Sequence, residues 1–147
     1  MDIAIKYNPD RRAYDLTVTG GDLATDEGLE TAVLLSLFTD RRAGEADEIP
    51  DGTDNRRGWW ADAYNSRRHG SRLWLLSREK ELESVLRRAK TYAEEALSWL
   101  VTDGVAERVE AEAEHVRRGV LRLYVRVFRG DLDALERHYE YVWNAMA

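Results

Sequence analysis

The sequence predicts an α+β fold: a small antiparallel sheet with two main helices and a short C-terminal helix. Three patterns carry that expectation. Apolar residues alternate with polar ones near the start of the chain and again over 109–127, as half-buried strands require. Between these stretches, residues 78–102 place apolar side chains three and four apart, the period of an amphipathic helix. Of the 147 residues 44% are hydrophobic, enough for one core, and the length suits a single domain over 1–147.

The first element is a hairpin over 3–19. Ile3, Ile5 and Tyr7 alternate with other residues, Asn8-Pro9-Asp10 signals a turn, and Tyr14, Leu16 and Val18 alternate again before Gly20-Gly21. A helix then starts at Thr25 or Asp26, either of which can cap it, and runs to about Arg42. Glu27 and Glu30 suit its positive pole, and Arg41 and Arg42 its negative one. Leu29, Val33 and Leu37 form one apolar row, which Ala32, Leu34, Leu35 and Phe38 widen well past a stripe. A helix apolar on most sides is buried on most sides, inside the domain or against a partner.

Residues 43–70 show little periodicity and contain Pro50, an acidic first part and a basic, aromatic second part. So long a loop in a compact domain tends to be functional or disordered. Its aromatics, Trp59, Trp60 and Tyr64, favour an ordered loop with a short helical turn. The apolar segment Ser71–Leu76 follows, and Ser77 caps the helix expected over 78–102, with Gly104 as its stop. Its apolar face comprises Leu82, Val85, Leu86, Ala89, Tyr92, Ala93, Ala96, Trp99 and Leu100.

Two strands come next. Val109, Ala111 and Ala113 alternate with Glu110, Glu112 and Glu114, and Leu121, Leu123, Val125 and Val127 alternate with Arg122, Tyr124 and Arg126. Paired, they set glutamates against arginines on one polar face, worth tenths of a kcal/mol per pair but favouring one register. A helical reading of 105–116 stays open, because Ala and Glu are good helix formers. Leu132, Leu135, Tyr139, Val142 and Trp143 suggest a final helix over about 131–145.

Composition limits the chemistry. There are no cysteines, which removes disulfides, thiolate metal sites and cysteine nucleophiles. The formal net charge of −6 argues against nucleic acid as a partner, since phosphate binding rests on Lys and Arg. Met1-Asp2-Ile3-Ala4-Ile5-Lys6 is unlike a signal peptide, and no apolar run approaches the roughly 20 residues of a membrane-spanning helix. The expectation is a soluble protein made in the cytosol, with no membrane partner.

Catalytic and metal-binding patterns are weak. His69, His115 and His138 have no second histidine or cysteine at ligand spacing. On a helix, Glu136 and Glu140 share a face from which His138 is turned away, a solvated surface. Asp47, Asp51, Gly52 and Asp54 faintly suggest a calcium loop, but Glu48, Ile49 and Pro50 break that pattern, leaving a solvated acidic loop. None of the six serines sits in a Gly-x-Ser-x-Gly elbow, no Gly-rich phosphate loop occurs, and no carboxylate pair stands out for glycoside cleavage. No catalytic, cofactor-binding or metal-binding residue is assigned.

What stands out is Asn55-Arg56-Arg57-Gly58-Trp59-Trp60-Ala61-Asp62-Ala63-Tyr64 and Gly70-Ser71-Arg72-Leu73-Trp74-Leu75-Leu76. Trp and Arg are the favoured anchors of protein interfaces. They also stack on bases and sugars, or the tryptophans fold back to complete a core. Arg57, Trp59, Trp60, Tyr64, Arg72 and Trp74 are therefore the candidate partner-binding residues.

These two segments resemble the Mu-type phage tail family named for Mu gene product forty-six. Gly21-Asp22-Leu23, Gly28-Leu29-Glu30-Thr31-Ala32-Val33, Ala96-Leu97-Ser98-Trp99-Leu100, Asp103-Gly104-Val105 and the Tyr-rich end fit as well, so the resemblance covers about 14–143. Ala61 departs from the glycine usual after the second tryptophan. The resemblance implies a baseplate-wedge-like fold, similar to wedge proteins of larger myophages and to a baseplate subunit of type VI secretion systems. It implies a structural component of a contractile tail baseplate that binds wedge and sheath proteins in a six-fold assembly, located in the virion tail after assembly in the host cytoplasm. The lysozyme label of some wedge relatives leaves a peptidoglycan-cleaving enzyme as one alternative, and a protein–protein adaptor module is another.

Overall fold

Short antiparallel pairs open the chain in the computed structural model. β1 (Asp2–Ile3) pairs with β6 (Thr25–Asp26), β2 (Ile5–Asn8) with β3 (Ala13–Leu16), and β4 (Val18–Thr19) with β5 (Asp22–Leu23). The structure describes the backbone of these strands, and residues 28–65, 67–79 and 83–142 with side chains except that of Val142. By contacts the chain divides into two units, Met1–Ser36 and Leu37–Ala147.

In the first unit the expected hairpin is present over 5–16, Tyr7 facing Tyr14 and Ile5 facing Leu16 across β2 and β3, whereas Ile3 and Val18 pair with Thr25 and Leu23. Its turn residues Pro9 and Asp10 lie outside the described residues. The next helix is shorter than its sequence suggests. α1 spans Leu29–Phe38, because Thr25 and Asp26 pair with Ile3 and Asp2 instead of capping it. Gly28, at φ 88°, supplies the first carbonyl, which accepts from Ala32 N–H at 2.9 Å. α1 buries Val33, Leu34 and Leu37 and leaves Leu35 half exposed. Beyond Phe38 a parallel bridge replaces the helix. Ser71 N–H donates to Thr39 C=O and Arg41 N–H to Ser71 C=O, at 2.8 and 2.9 Å, so Arg41 and Arg42 are not a helix terminus.

The second unit continues with the long loop, which is ordered and contains a 3-10 turn, Trp60–Tyr64. A second 3-10 turn, Leu73–Leu76, buries all four of its residues. Ser77 closes that turn, its N–H donating to Trp74 C=O, so it is not the cap of the next helix. α2 is described over Glu83–Thr102, and Leu82 falls outside the described residues. It buries Val85, Ala89, Tyr92, Ala93, Ala96, Leu97 and Leu100, close to the expected face, with Leu86 and Trp99 half-buried. Gly104 ends it at φ 75°. Val105 N–H reaches Leu100 C=O and Gly104 N–H reaches Val101 C=O, the two bonds of a glycine-based helix stop.

β7 (Arg108–Arg117), β8 (Val120–Arg129) and β9 (Leu132–Val142) form an antiparallel sheet in that order, so the strand reading of 109–114 holds and the helical alternative for 105–116 does not. Glu110 faces Arg126 and Glu114 faces Arg122, the register the charge pattern favours. On the inner face Ala111, Leu121, Leu123, Val125, Val127 and Tyr139 are buried.

β9 overturns the expected C-terminal helix. Its inner-face residues Leu135, Tyr139 and Tyr141 stand opposite Val127, Leu123 and Leu121. Glu136, His138 and Glu140 alternate with them on the outer face, opposite Arg126, Tyr124 and Arg122. Aromatic cross-strand pairing and the ion pairs Arg126–Glu136 at 2.7 Å and Arg122–Glu140 at 3.1 Å override the three-and-four spacing of Leu132, Leu135 and Tyr139. His138 therefore shares a face with both glutamates. Trp143 lies outside the described residues.

The two sheet edges differ. α2 packs on β7, where Ala111 turns its backbone outward: its N–H donates to Glu94 Oε1 at 3.2 Å and its C=O accepts from Lys90 Nζ at 2.7 Å. On the outer side of β9 no strand pairs among the described residues.

Candidate functional site

Two closures shape the Trp-Arg segment. Ala43 N–H donates to Arg56 C=O at 2.9 Å, and the Arg56 guanidinium reaches back to Gly44 C=O and Glu45 C=O, tying residues 43–56 into a loop. Asp47 then latches this loop to the rest of the unit, accepting from Gly44 N–H at 2.7 Å and from Arg72 at 3.1 and 3.2 Å. Arg72 Nε also donates to Glu95 on α2 at 2.9 Å, Arg41 pairs with the same carboxylate at 3.2 Å, and the Arg72 guanidinium lies 4.5 Å from the Tyr92 ring centre. Burial opposes the ionisation of Asp47, but the Gly44 N–H and the bond and charge of Arg72 hold its carboxyl below the usual range. The other acids of the loop, Glu45, Glu48, Asp51 and Asp54, are exposed. Asp47 differs from them in kind, and nothing in its local sequence signals that.

After the loop the backbone turns sharply. Arg57 adopts φ 55° and Gly58 φ 103°. A Cβ at position 58 would stand 2.7 Å from Arg42 Cβ, so only glycine allows the chain to pass here. The turn brings out Trp59 and Trp60, their ring centres 6.0 Å apart, with Tyr64 6.4 Å from Trp60. Exposure is 45% for Trp59, 77% for Trp60 and 84% for Tyr64, unusual values for large aromatics. Ala61 needs no positive φ within the 3-10 turn, which accounts locally for an alanine there.

The patch is braced from behind. Asp62 accepts from His69 N–H and contacts His69 Nδ1 at 2.7 Å, and the His69 ring meets Trp59 edge-on at 4.9 Å. Arg67 pairs with Asp103 beyond the end of α2 at 2.9 Å and lies over Trp99. Arg57 bonds Asp40 at 2.7 Å. Beneath it, burial and the Asp40 charge push the Tyr141 hydroxyl up to about 12.

The six candidate residues therefore separate. Trp59, Trp60 and Tyr64 come together on the surface. Trp74 is 2% exposed, its Nε1–H donating to Arg41 C=O at 2.8 Å, and belongs to the core. Arg72 is held by Asp47 and Glu95 inside the bracing network. Arg57 links the two groups. Sequence reasoning missed Arg42, Arg56, Asp47, Asp62 and His69, whose roles depend on contacts across the loop. A shallow concavity of about 370 Å³ lies on the sheet, lined partly by Glu110, Glu112, Tyr124, Arg126, Glu136 and His138. Among the described residues no group of three His, Cys, Asp or Glu side chains could hold a metal ion, and no helix is long and apolar enough to cross a membrane.

Comparison with known proteins gives this arrangement a context. Over 145 residues, 99% of each chain, the sequence is 45% identical to the baseplate protein gp46 of Escherichia phage Mu. It is 38% identical over 131 residues, 88% of this chain and 90% of the relative, to the Mu-like prophage FluMu protein gp46 of Haemophilus influenzae. The family described as phage protein GP46 matches residues 29–134, which include the whole Trp-Arg segment, α2 and most of the sheet. The chain belongs to the GP46 family of phage proteins.

Proposed function

We propose that this chain is a structural component of a contractile phage tail baseplate, where it binds neighbouring wedge and sheath subunits and catalyses nothing. The observation that carries the reading is the 45% identity, over nearly the full length of both chains, to a protein named for the Mu baseplate. Its place is the virion tail, within a six-fold assembly, after synthesis in the host cytoplasm.

Two surfaces support a binding role. Trp59, Trp60 and Tyr64 present apolar area on a loop pinned by Asp47, Arg72 and Asp62, so little ordering entropy is lost when a partner covers them. No strand pairs with the outer side of β9 among the described residues, so a partner strand would add there, while Lys90 and Glu94 occupy the middle of the opposite edge at Ala111.

The test is a pull-down with this chain from cells expressing the complete tail gene cluster, read by mass spectrometry, with electron microscopy of the particles. Recovery of baseplate and sheath proteins, with the chain at the tail end, is the expected result. Normal contractile tails from a cluster lacking this gene would sink the proposal.

A further inference from the structure

Residues 44–55 form a closed surface loop tied to the body at one point. The base of the loop is fixed. Ala43 is buried and donates its N–H to Arg56 C=O at 2.9 Å, and Gly58 packs against Arg42. Above that base none of residues 44–55 is buried, so no side chain roots the loop in the core. Its shape comes from bonds within itself. Asp47 N–H donates to Gly44 C=O and Gly52 N–H to Ile49 C=O, at 3.1 and 3.2 Å. Asp51 Oδ1 accepts from the N–H and hydroxyl of Thr53, at 3.0 and 2.7 Å, and Thr53 Oγ1 accepts from Asn55 N–H at 3.2 Å. Beyond the base, the one hydrogen-bonded tie to the body among the described residues is that of Arg72 to Asp47.

Neither partner of this tie is stranded when it breaks. Asp47 keeps Gly44 N–H, which moves with the loop, and Arg72 keeps Glu95 at 2.9 Å and the Tyr92 ring at 4.5 Å. Separating a sheltered ion pair is hardest when it leaves a charge without a partner, and here both charges retain one. We infer that residues 44–55 are a strap that opens and closes as one piece over Arg72, with the Asp47–Arg72 contact as its catch, while α2 and the sheet stay folded. A compact loop with adjacent ends can move in this way without stretching the chain, as a local opening well below global unfolding. Closed, the strap leaves 24% of the Arg72 side chain and 16% of that of Asp47 exposed; open, both groups face solvent or a neighbouring protein. The device follows from contacts within this chain, independently of the baseplate reading.

The chain has no cysteine, so thiol-reactive spin labels can be placed at chosen positions of the full protein. One label goes on α2 through Thr91→Cys and the other on the strap through Ala46→Cys or Asp54→Cys, all at exposed positions. Pulsed electron spin resonance reads the distance distribution of each pair. The expected result is one main distance with a second, minor one. Asp47→Asn keeps an acceptor for Gly44 N–H but removes the charge, and should raise the minor population about tenfold relative to the main one. Glu95→Gln should not raise it, because Arg72 then depends on Asp47 alone. Both strap positions should report the same open fraction, and the Asp47→Asn protein should keep its cooperative melting transition. A distribution that Asp47→Asn leaves unchanged overturns the inference, and so does an equal rise in Glu95→Gln. Different open fractions at positions 46 and 54, or loss of the melting transition in Asp47→Asn, overturn it as well, since the strap would then not move as one piece on a folded body.

Discussion

The Arg57 guanidinium lies 4.4 Å from the centre of the Trp74 ring, stacking an exposed cation on a core indole. One face of Trp74 thus supports the loop that carries Trp59 and Trp60, while its Nε1–H holds the Arg41 carbonyl. The three tryptophans share a segment but not a role. Trp74→Ala should cost about 3–5 kcal/mol of stability, as large aromatic truncations in a core do. Trp60→Ala should stay within about 0.5 kcal/mol of the parent in urea unfolding, because its ring is mostly in solvent. Trp60→Ala should nevertheless reduce incorporation into tails. If it instead destabilises as much as Trp74→Ala, Trp60 is a packing residue.

Glycine substitutions should separate crowding from strain. A Cβ on Gly70 would stand 2.3 Å from the Thr39 carbonyl oxygen, at φ 90°, where the parallel bridge forms. Gly70→Ala combines left-handed strain with overpacking and should cost more than about 2 kcal/mol. Gly104 has a similar φ, 75°, but open space around it, so Gly104→Ala should cost only about 1 kcal/mol. Denaturant midpoints of the two variants provide the comparison.

Acid should release the Asp47 latch. Because the folded protein holds this carboxyl below its unfolded value of about 3.8, the latch stabilises the fold fully above that pH. Its contribution is lost as pH falls through the lower, folded value. The stability gap between the parent and Asp47→Asn should therefore be constant from neutral pH to about pH 5 and shrink below about pH 4. A gap that stays unchanged down to pH 2 would show that Asp47 acts by shape alone.

How much of this was legible beforehand depended on how local each signal was. The α2 face followed from apolar spacing, and the β7–β8 register followed from three glutamates and two arginines in step. The C-terminal strand was misread because Leu132, Leu135 and Tyr139 fit a helical spacing while Glu136, His138 and Glu140 fit a strand. Only the presence of β8, with Arg126 and Arg122 opposite the glutamates, decides between them. The Trp-Arg segment was visible as a cluster, but its division into core and surface was not. That division is set by contacts such as Trp74 with Arg41 and Asp62 with His69, which a one-dimensional pattern does not contain.

Removing the seal on β7 should change how the protein behaves with itself. The Lys90→Ala, Glu94→Ala double variant leaves the Ala111 N–H and C=O without side-chain partners, costing about 1–3 kcal/mol. It also opens the middle of an edge to pairing. Sedimentation velocity should show concentration-dependent association of this variant beyond that of the parent. Unchanged behaviour would mean that α2 covers the edge without those two side chains.

That seal also gives the sheet a direction. A sheet open on both sides can be a link in a row of any length, each copy adding to the last. With Lys90 and Glu94 standing across the middle of β7, growth by strand pairing does not proceed from that edge. A row built by strand pairing therefore cannot run through this sheet by way of β7.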